Sequence, residues 1–152
     1  MTICHAEAED LPAILELQYL AYRSEAELLG NWDIPPFKQK LSEVEEEFRK
    51  GVFLKLICEN DGDAIVGSVR AVEKDGAVQI GKLMVHPQFR RRGYGRLLLS
   101  AIEAEFAGKR CVLFTSTRSV NNIRLYESAG YRIFETRTIS PELQFAYMEK
   151  QL

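Results

Sequence analysis

Apolar positions recur at near-helical spacing after Asp10: Leu11, Ile14, Leu15, Leu17, Leu20 and Ala21 predict a first helix ending near Tyr22. Asp10 can cap that helix, and Pro12 is tolerated in its first turn. Gly30-Asn31-Trp32-Asp33-Ile34-Pro35-Pro36 interrupts the pattern and reads as a loop. A second helix follows, with Leu41, Val44 and Phe48 on one face and Ser42 and Glu45 at capping-box spacing. From Val52 the period drops to two or gives way to continuous apolar runs. Val52–Cys58, Ile65–Val72 and Val78–Val85 predict three strands, turned at Glu59-Asn60-Asp61-Gly62-Asp63 and at Lys74-Asp75-Gly76. They make an antiparallel meander that stops at Pro87.

Beyond Pro87 the pattern predicts a helix from Tyr94 to about Phe106, a strand over Cys111–Thr115 and a helix from Asn121 to about Ala129. A strand from Tyr131 to about Ile139 and a last strand near Gln144–Glu149 complete the chain, with a turn at Ser140-Pro141. Strand, helix, strand implies a right-handed parallel crossover, so the sheet is expected to be mixed and the fold α/β.

Composition changes this picture little. The chain has 152 residues, 46% hydrophobic and 28% charged, without repeats or low-complexity segments, which suits one domain over residues 1–152. No apolar run approaches the roughly 20 residues a membrane helix needs. The N-terminus has neither a basic flank nor an apolar stretch of the secretory kind. Cys4, Cys58 and Cys111 are odd in number, unpatterned, and each set in an apolar run, so buried reduced thiols and a cytoplasmic location are expected. Two distant histidines and no Cys or His pair at ligand spacing give no metal site.

Charge is more informative in its distribution than in its sum. The net charge of -2 argues against a protein that binds nucleic acid by neutralising phosphates. Yet Glu43 to Glu47 form an acidic patch and Arg90, Arg91, Arg92 and Arg96 a basic one. In Val85-His86-Pro87-Gln88-Phe89-Arg90-Arg91-Arg92-Gly93-Tyr94-Gly95-Arg96, a strand ends, a basic glycine-containing loop follows and an apolar helix begins. Free N–H groups and the helix dipole favour an anion there. Gly93 and Gly95 leave room for close approach, and the arginines can add charge-assisted bonds. Read alone, the same stretch also describes a helix start on a solvated arginine-rich loop.

Arg90-Arg91-Arg92-Gly93-Tyr94-Gly95 resembles the [Gln or Arg]-x-x-Gly-x-Gly signature of the GNAT (N-acetyltransferase) superfamily, and Leu83-Met84-Val85-His86-Pro87 resembles that family's preceding strand and exit. Asn122-Ile123-Arg124-Leu125-Tyr126-Glu127-Ser128-Ala129-Gly130-Tyr131 is similar to its later helix. The order of elements agrees over nearly the whole chain. The resemblance implies a mostly antiparallel sheet of about six to seven strands flanked by about four helices, splayed between the fourth and fifth strands. It implies acetyl-CoA as cosubstrate, with its pyrophosphate on the loop Arg90, Arg91, Arg92, Gly93, Tyr94, Gly95 and Arg96. The pantetheine arm would run beside Leu83, Met84 and Val85 like an added strand. A backbone N–H near Met84 would polarise the thioester, Asn122 would bond the arm, and Tyr126 would act as general acid on the leaving sulfur.

The implied reaction is direct acetyl transfer to a primary amine. A non-catalytic acyl-CoA-binding module of the same fold is the alternative, kept open because no general base stands out. Glu73, His86 and a water relay are the candidates. Ser119 stands where some relatives carry an asparagine and can cap the following helix. Glu25, Glu27, Trp32, Asp33 and Phe37 lie in or near the loop expected to meet the acceptor, a small-molecule or peptide amine. Such a lining would favour a cationic amine; the other reading has Trp32 and Phe37 plugging the core beside solvated acids. Relatives are often dimers, and Gln144–Met148 is apolar enough to meet a partner or to be core. No membrane or nucleic-acid partner is expected.

Overall fold

The alternating segments fold into a single seven-stranded sheet in the computed structural model, which describes residues 1–152. Its strands are β1 (Thr2–His5), β2 (Val52–Cys58), β3 (Ala64–Lys74), β4 (Ala77–Val85), β5 (Arg110–Ser116), β6 (Arg132–Ser140) and β7 (Leu143–Gln151), in the order β1-β2-β3-β4-β5-β7-β6. Every neighbouring pair is antiparallel except β4–β5. The helices are α1 (Leu11–Ala21), α2 (Arg23–Leu29), α3 (Pro35–Lys38), α4 (Leu41–Lys50), α5 (Tyr94–Ala104) and α6 (Val120–Ser128). The mixed, mostly antiparallel α/β sheet expected from the sequence is thus present, with six helices rather than about four. The added elements are short. Among them, α2 follows α1 after one residue and ends where Gly30 turns left-handed at φ 64°.

Two local expectations are corrected. Asp10 makes no capping bond to α1; its carboxylate accepts the Glu7 N–H and the Lys55 Nζ, both at 2.7 Å. Ser42 lies inside α4, whose start is closed by Glu43 Oε1 accepting the Lys40 N–H at 2.9 Å. Of the cysteines, only Cys111 is buried; Cys4 and Cys58 are half-buried, and all three are free thiols.

Apolar faces cover both sides of the sheet. Leu98, Leu99 and Ile102 of α5 and Tyr126 of α6 pack with Leu54, Leu56, Val66, Val69, Val78 and Ile80. On the other side, Leu11, Ile14, Leu15 and Leu17 of α1 and Val44 of α4 pack with Phe53 and Met84. Each fully buried aliphatic side chain stabilises the fold by roughly 1.5–3 kcal/mol.

Two irregularities in β4 shape the centre of the molecule. Ser68 pairs with Met84 but Arg70 pairs with Gly81, so Val69 faces both Lys82 and Leu83 in a bulge, with Lys82 at φ 50°. A bulge bends its strand and increases local twist. Consistent with that, β4 and β5 pair only at Val78–Cys111 and Gln79–Val112, and beyond them the strands separate. The splay between the fourth and fifth strands therefore begins just before the bulge.

Candidate active site

The open end of the splay leads into the basic loop. His86 closes a one-turn 3-10 segment at Pro87–Phe89 by accepting the Gln88 N–H on Nδ1 at 3.1 Å, and its ring meets Phe89 edge-on. Arg91 and Gly93 then take left-handed backbone at φ 62° and 84°. At Gly93 a side chain would be strained by conformation, although a β-carbon would meet nothing within 4 Å. A β-carbon on Gly95 would make only ordinary contact with Leu125, at 3.6 Å. The N–H groups of Gly93, Tyr94, Gly95 and Arg96 find no acceptor in the protein. This is the set of unpaired donors an α-helix presents to an anion.

The four arginines have separate tasks. Arg90 turns inward: its guanidinium donates to Val85 O at 3.2 Å, Ala21 O at 2.7 Å and Ser24 Oγ at 3.0 Å, bracing the loop against α1 and α2. Arg96 reaches Ser128 Oγ at 2.9 Å, linking α5 to α6. Arg92 lies over the Phe89 ring. Arg91 is exposed and unpaired at the loop's crest.

Backbone alternation sets what faces the gap. His86 N–H donates to Val66 O in β3 at 2.7 Å, so the Met84 N–H points the same way. The groups turned toward the gap are those of Leu83 and Val85. Met84 buries its side chain against α1. Across the gap, Asn122 is exposed and its Nδ2 donates to Thr115 Oγ1 at the end of β5, at 3.3 Å.

Tyr126 sits deeper. Its ring packs edge-on against Tyr131, the residue is 8% exposed, and its hydroxyl makes no hydrogen bond within the protein. Burial first, then the nearby Tyr22 and Glu25, push its pKa well above the usual phenol value, so it remains a proton donor. Tyr22 is pushed up to about 12 by burial and by Glu25, against an opposing effect of Arg70. Glu25 is half-buried, and both its carboxylate oxygens accept the Ser119 hydroxyl at 3.1 Å. Burial raises its pKa, and the Ser119 bond offsets part of that. Ser119, at the N-cap position of α6, makes no capping bond; its hydroxyl serves Glu25 instead.

A second polar group lies under α1 and α4. The Arg70 guanidinium, 6% exposed, donates to Gln18 Oε1 at 2.8 Å, pairs with Glu47 and stands 4.6 Å over the Phe53 ring. Its Nε is buried with no partner. Lys82 stands beside it; burial and the like charge of Arg70 lower its pKa, opposed by Glu47.

Other sequence candidates fall elsewhere. Glu73 pairs with Lys109 at 3.1 Å and lies opposite Val78, at the closed end of the gap and roughly 20 Å of strand from Val85. His86 is engaged in its turn. Of the residues expected near the acceptor, Glu25 meets Ser119 as described above. Trp32 is 55% exposed and stacks on Phe37, while Asp33 pairs with Lys38 at 2.7 Å and Glu27 is exposed. Trp32 therefore plugs no core either. Sequence reasoning missed Tyr22, Arg70 and Lys82. The signal was available as a charge set within each of two apolar strands, at Ser68-Val69-Arg70 and Ile80-Gly81-Lys82.

Known proteins share this fold. The Escherichia coli ribosomal-protein-S18-alanine N-acetyltransferase superposes with a TM-score of 0.79 at 19% identity, over 99% of this chain and 92% of that one. The PaiA N-acetyltransferase of Thermoplasma acidophilum, in complex with coenzyme A, gives 0.80 at 15% identity over the whole of both chains. YncA of Salmonella typhimurium, a putative acetyltransferase with acetyl-CoA, gives 0.74 at 22%, over 99% and 93%. In sequence, the UPF0157 protein YqkA of Bacillus subtilis (strain 168) is 26% identical over 133 residues, 87% of this chain. The chain spans 37% of that relative's length. The acetyltransferase (GNAT) domain family matches residues 52–133, more than half of the chain, from β2 through the basic loop and α6. On that match and this fold, the chain belongs to the GNAT acetyltransferase family.

Proposed function

We propose that the protein transfers an acetyl group from acetyl-CoA to a primary amine by direct attack in a ternary complex. The observation that carries this reading is the continuity of the β4–β5 gap with the unpaired N–H groups at the start of α5. An anionic cosubstrate with an extended arm fits that path. The pyrophosphate falls to Gly93, Tyr94, Gly95 and Arg96, with Arg91 and Arg92 at the rim and Arg90 holding the loop in place. The arm falls along Leu83, Met84 and Val85, with Asn122 on the far side.

Acetyl-CoA supplies a thioester whose carbonyl accepts the amine nitrogen and whose sulfur leaves as the C–S bond breaks. The Leu83 and Val85 N–H groups are the donors available to charge developing on the carbonyl oxygen. Tyr126, protonated at neutral pH and without an internal partner, is the donor available to the leaving sulfur. Glu25 is the carboxylate beside Tyr126 and takes the proton of the incoming amine. CoA-bound relatives support the cosubstrate, since PaiA and YncA were crystallised with coenzyme A and acetyl-CoA.

A thermal-shift titration tests the cosubstrate directly, because a ligand bound only by the native state raises its melting temperature. Acetyl-CoA and CoA should stabilise the protein, and a dephosphorylated adenosine control should not. No shift at millimolar CoA would overturn the reading. CoA binding without thiol release from any amine would instead mark an acyl-CoA-binding module.

A further inference from the structure

Two charges beside the gap lack a counter-ion. Lys82 is the bulged residue of β4, half-buried, with no carboxylate within 4.0 Å. The carboxylate nearest in effect, Glu47, is committed to Arg70. Arg70 itself repels the lysine, and its remaining partners, Gln18 and Gln39, are neutral. The cluster thus holds two cations against one anion in partly dry surroundings, where an uncompensated charge is costly. Lys82 also immediately precedes Leu83, the other residue of the bulge, whose N–H is turned toward the gap.

Glu25 is the complementary case. It reaches the site from α2, meets no cation within 4.0 Å and has the Ser119 hydroxyl as its only side-chain partner. Ser119 lies three residues past the end of β5, so Glu25 flanks the gap from the β5 side while Lys82 lies on the β4 side. Tyr22 lies between, within the influence of both Glu25 and Arg70. Glu25 and Lys82 do not pair with each other.

Resting on the acetyl-transfer reading, we infer that the acceptor is an amine bearing its own anionic group, with its nitrogen at Glu25 and its anion at Lys82. A polyamine would satisfy Glu25 and leave Lys82 unpaired. A neutral amine would leave Lys82 without a counter-ion. A carboxylate or phosphate at a short distance from an amino group answers both poles, and an amino acid is the simplest such molecule. An amine with its own anion takes the place of the purely cationic acceptor expected from Glu25, Glu27, Trp32, Asp33 and Phe37.

The test uses the whole chain with CoA present, so that the cosubstrate reading is checked first. Thiol release from acetyl-CoA, and added thermal stabilisation with CoA bound, are then measured for serine and glutamate, their carboxamides, O-phosphoethanolamine and putrescine. Carboxylate-bearing or phosphate-bearing amines should exceed the carboxamides by at least about tenfold in kcat/KM, the scale of one charge-assisted bond. Serine against O-phosphoethanolamine distinguishes the two kinds of anion. Lys82→Met should bring the carboxylate-to-carboxamide ratio to about one, and Lys82→Arg should restore part of it. The wild-type ratio decides the matter alone if Lys82→Met fails to fold. CoA binding with carboxamides or putrescine equal or superior overturns the inference, as does CoA binding with no response to any anionic amine. Absence of CoA binding overturns the acetyl-transfer reading instead.

Discussion

Tyr126 buries its ring between α6 and the sheet but leaves its hydroxyl without an internal partner. Removing that oxygen breaks no bond of the fold. Tyr126→Phe should therefore keep the wild-type melting temperature within about 2 °C while turnover, followed by thiol release, falls about 10- to 100-fold. Equal turnover would remove Tyr126 from the reaction. Glu25 makes the opposite trade. Burial raises its pKa above the ordinary 4.5, so the carboxylate is protonated more readily in the folded than in the unfolded chain. Its stabilising contribution is present below that value and is lost as pH rises through the raised one. Glu25→Gln keeps an acceptor for Ser119 and should raise the melting temperature at pH 7–8 by about 1–3 °C, with no gain near pH 4. A melting series across pH checks the sign.

At the scale of elements, the site depends on how closely α5 approaches the sheet. A β-carbon on Gly67 of β3 would lie 3.0 Å from Leu98 Cδ1 and 3.1 Å from Met84 O. Gly67→Ala should push α5 outward, costing about 1–3 kcal/mol in urea unfolding and weakening CoA binding because the same helix start carries the unpaired donors. Most of these elements were legible. The period-two runs placed β2 at its observed bounds and β3, β4 and β5 within two residues, and the helical runs placed α5 and α6 to within two. Four-residue β1 was not legible, since Thr2-Ile3-Cys4-His5 is too short to show a period and exists by pairing with β2. Helix α2 was hidden because Tyr22 separates it from α1 by a single residue with no proline or glycine between them.

Across the whole molecule, the site divides along the same line. The strand end at Leu83 to Val85, the turn into α5 over Arg90 to Arg96, and the helix carrying Tyr126 were readable as elements because each is one contiguous stretch of chain. Arg70, Lys82 and the Glu25–Ser119 contact were not, because they come from α2, β3, β4 and the start of α6 and meet only when the sheet closes. No helix is long and apolar enough to cross a membrane. Arg90 also joins distant parts, since one guanidinium ties the end of β4 to Ala21 and Ser24, a residue away from Glu25. A cosubstrate that orders the loop thereby orders the segment that presents Glu25, so the entropy of fixing that segment is spent once for two ligands. Linkage then requires reciprocity: CoA should tighten the acceptor by the same factor as the acceptor tightens CoA, and calorimetric titrations in both orders should close the cycle. Arg90→Ala should loosen that cycle toward independence, leaving two sites that no longer report on each other.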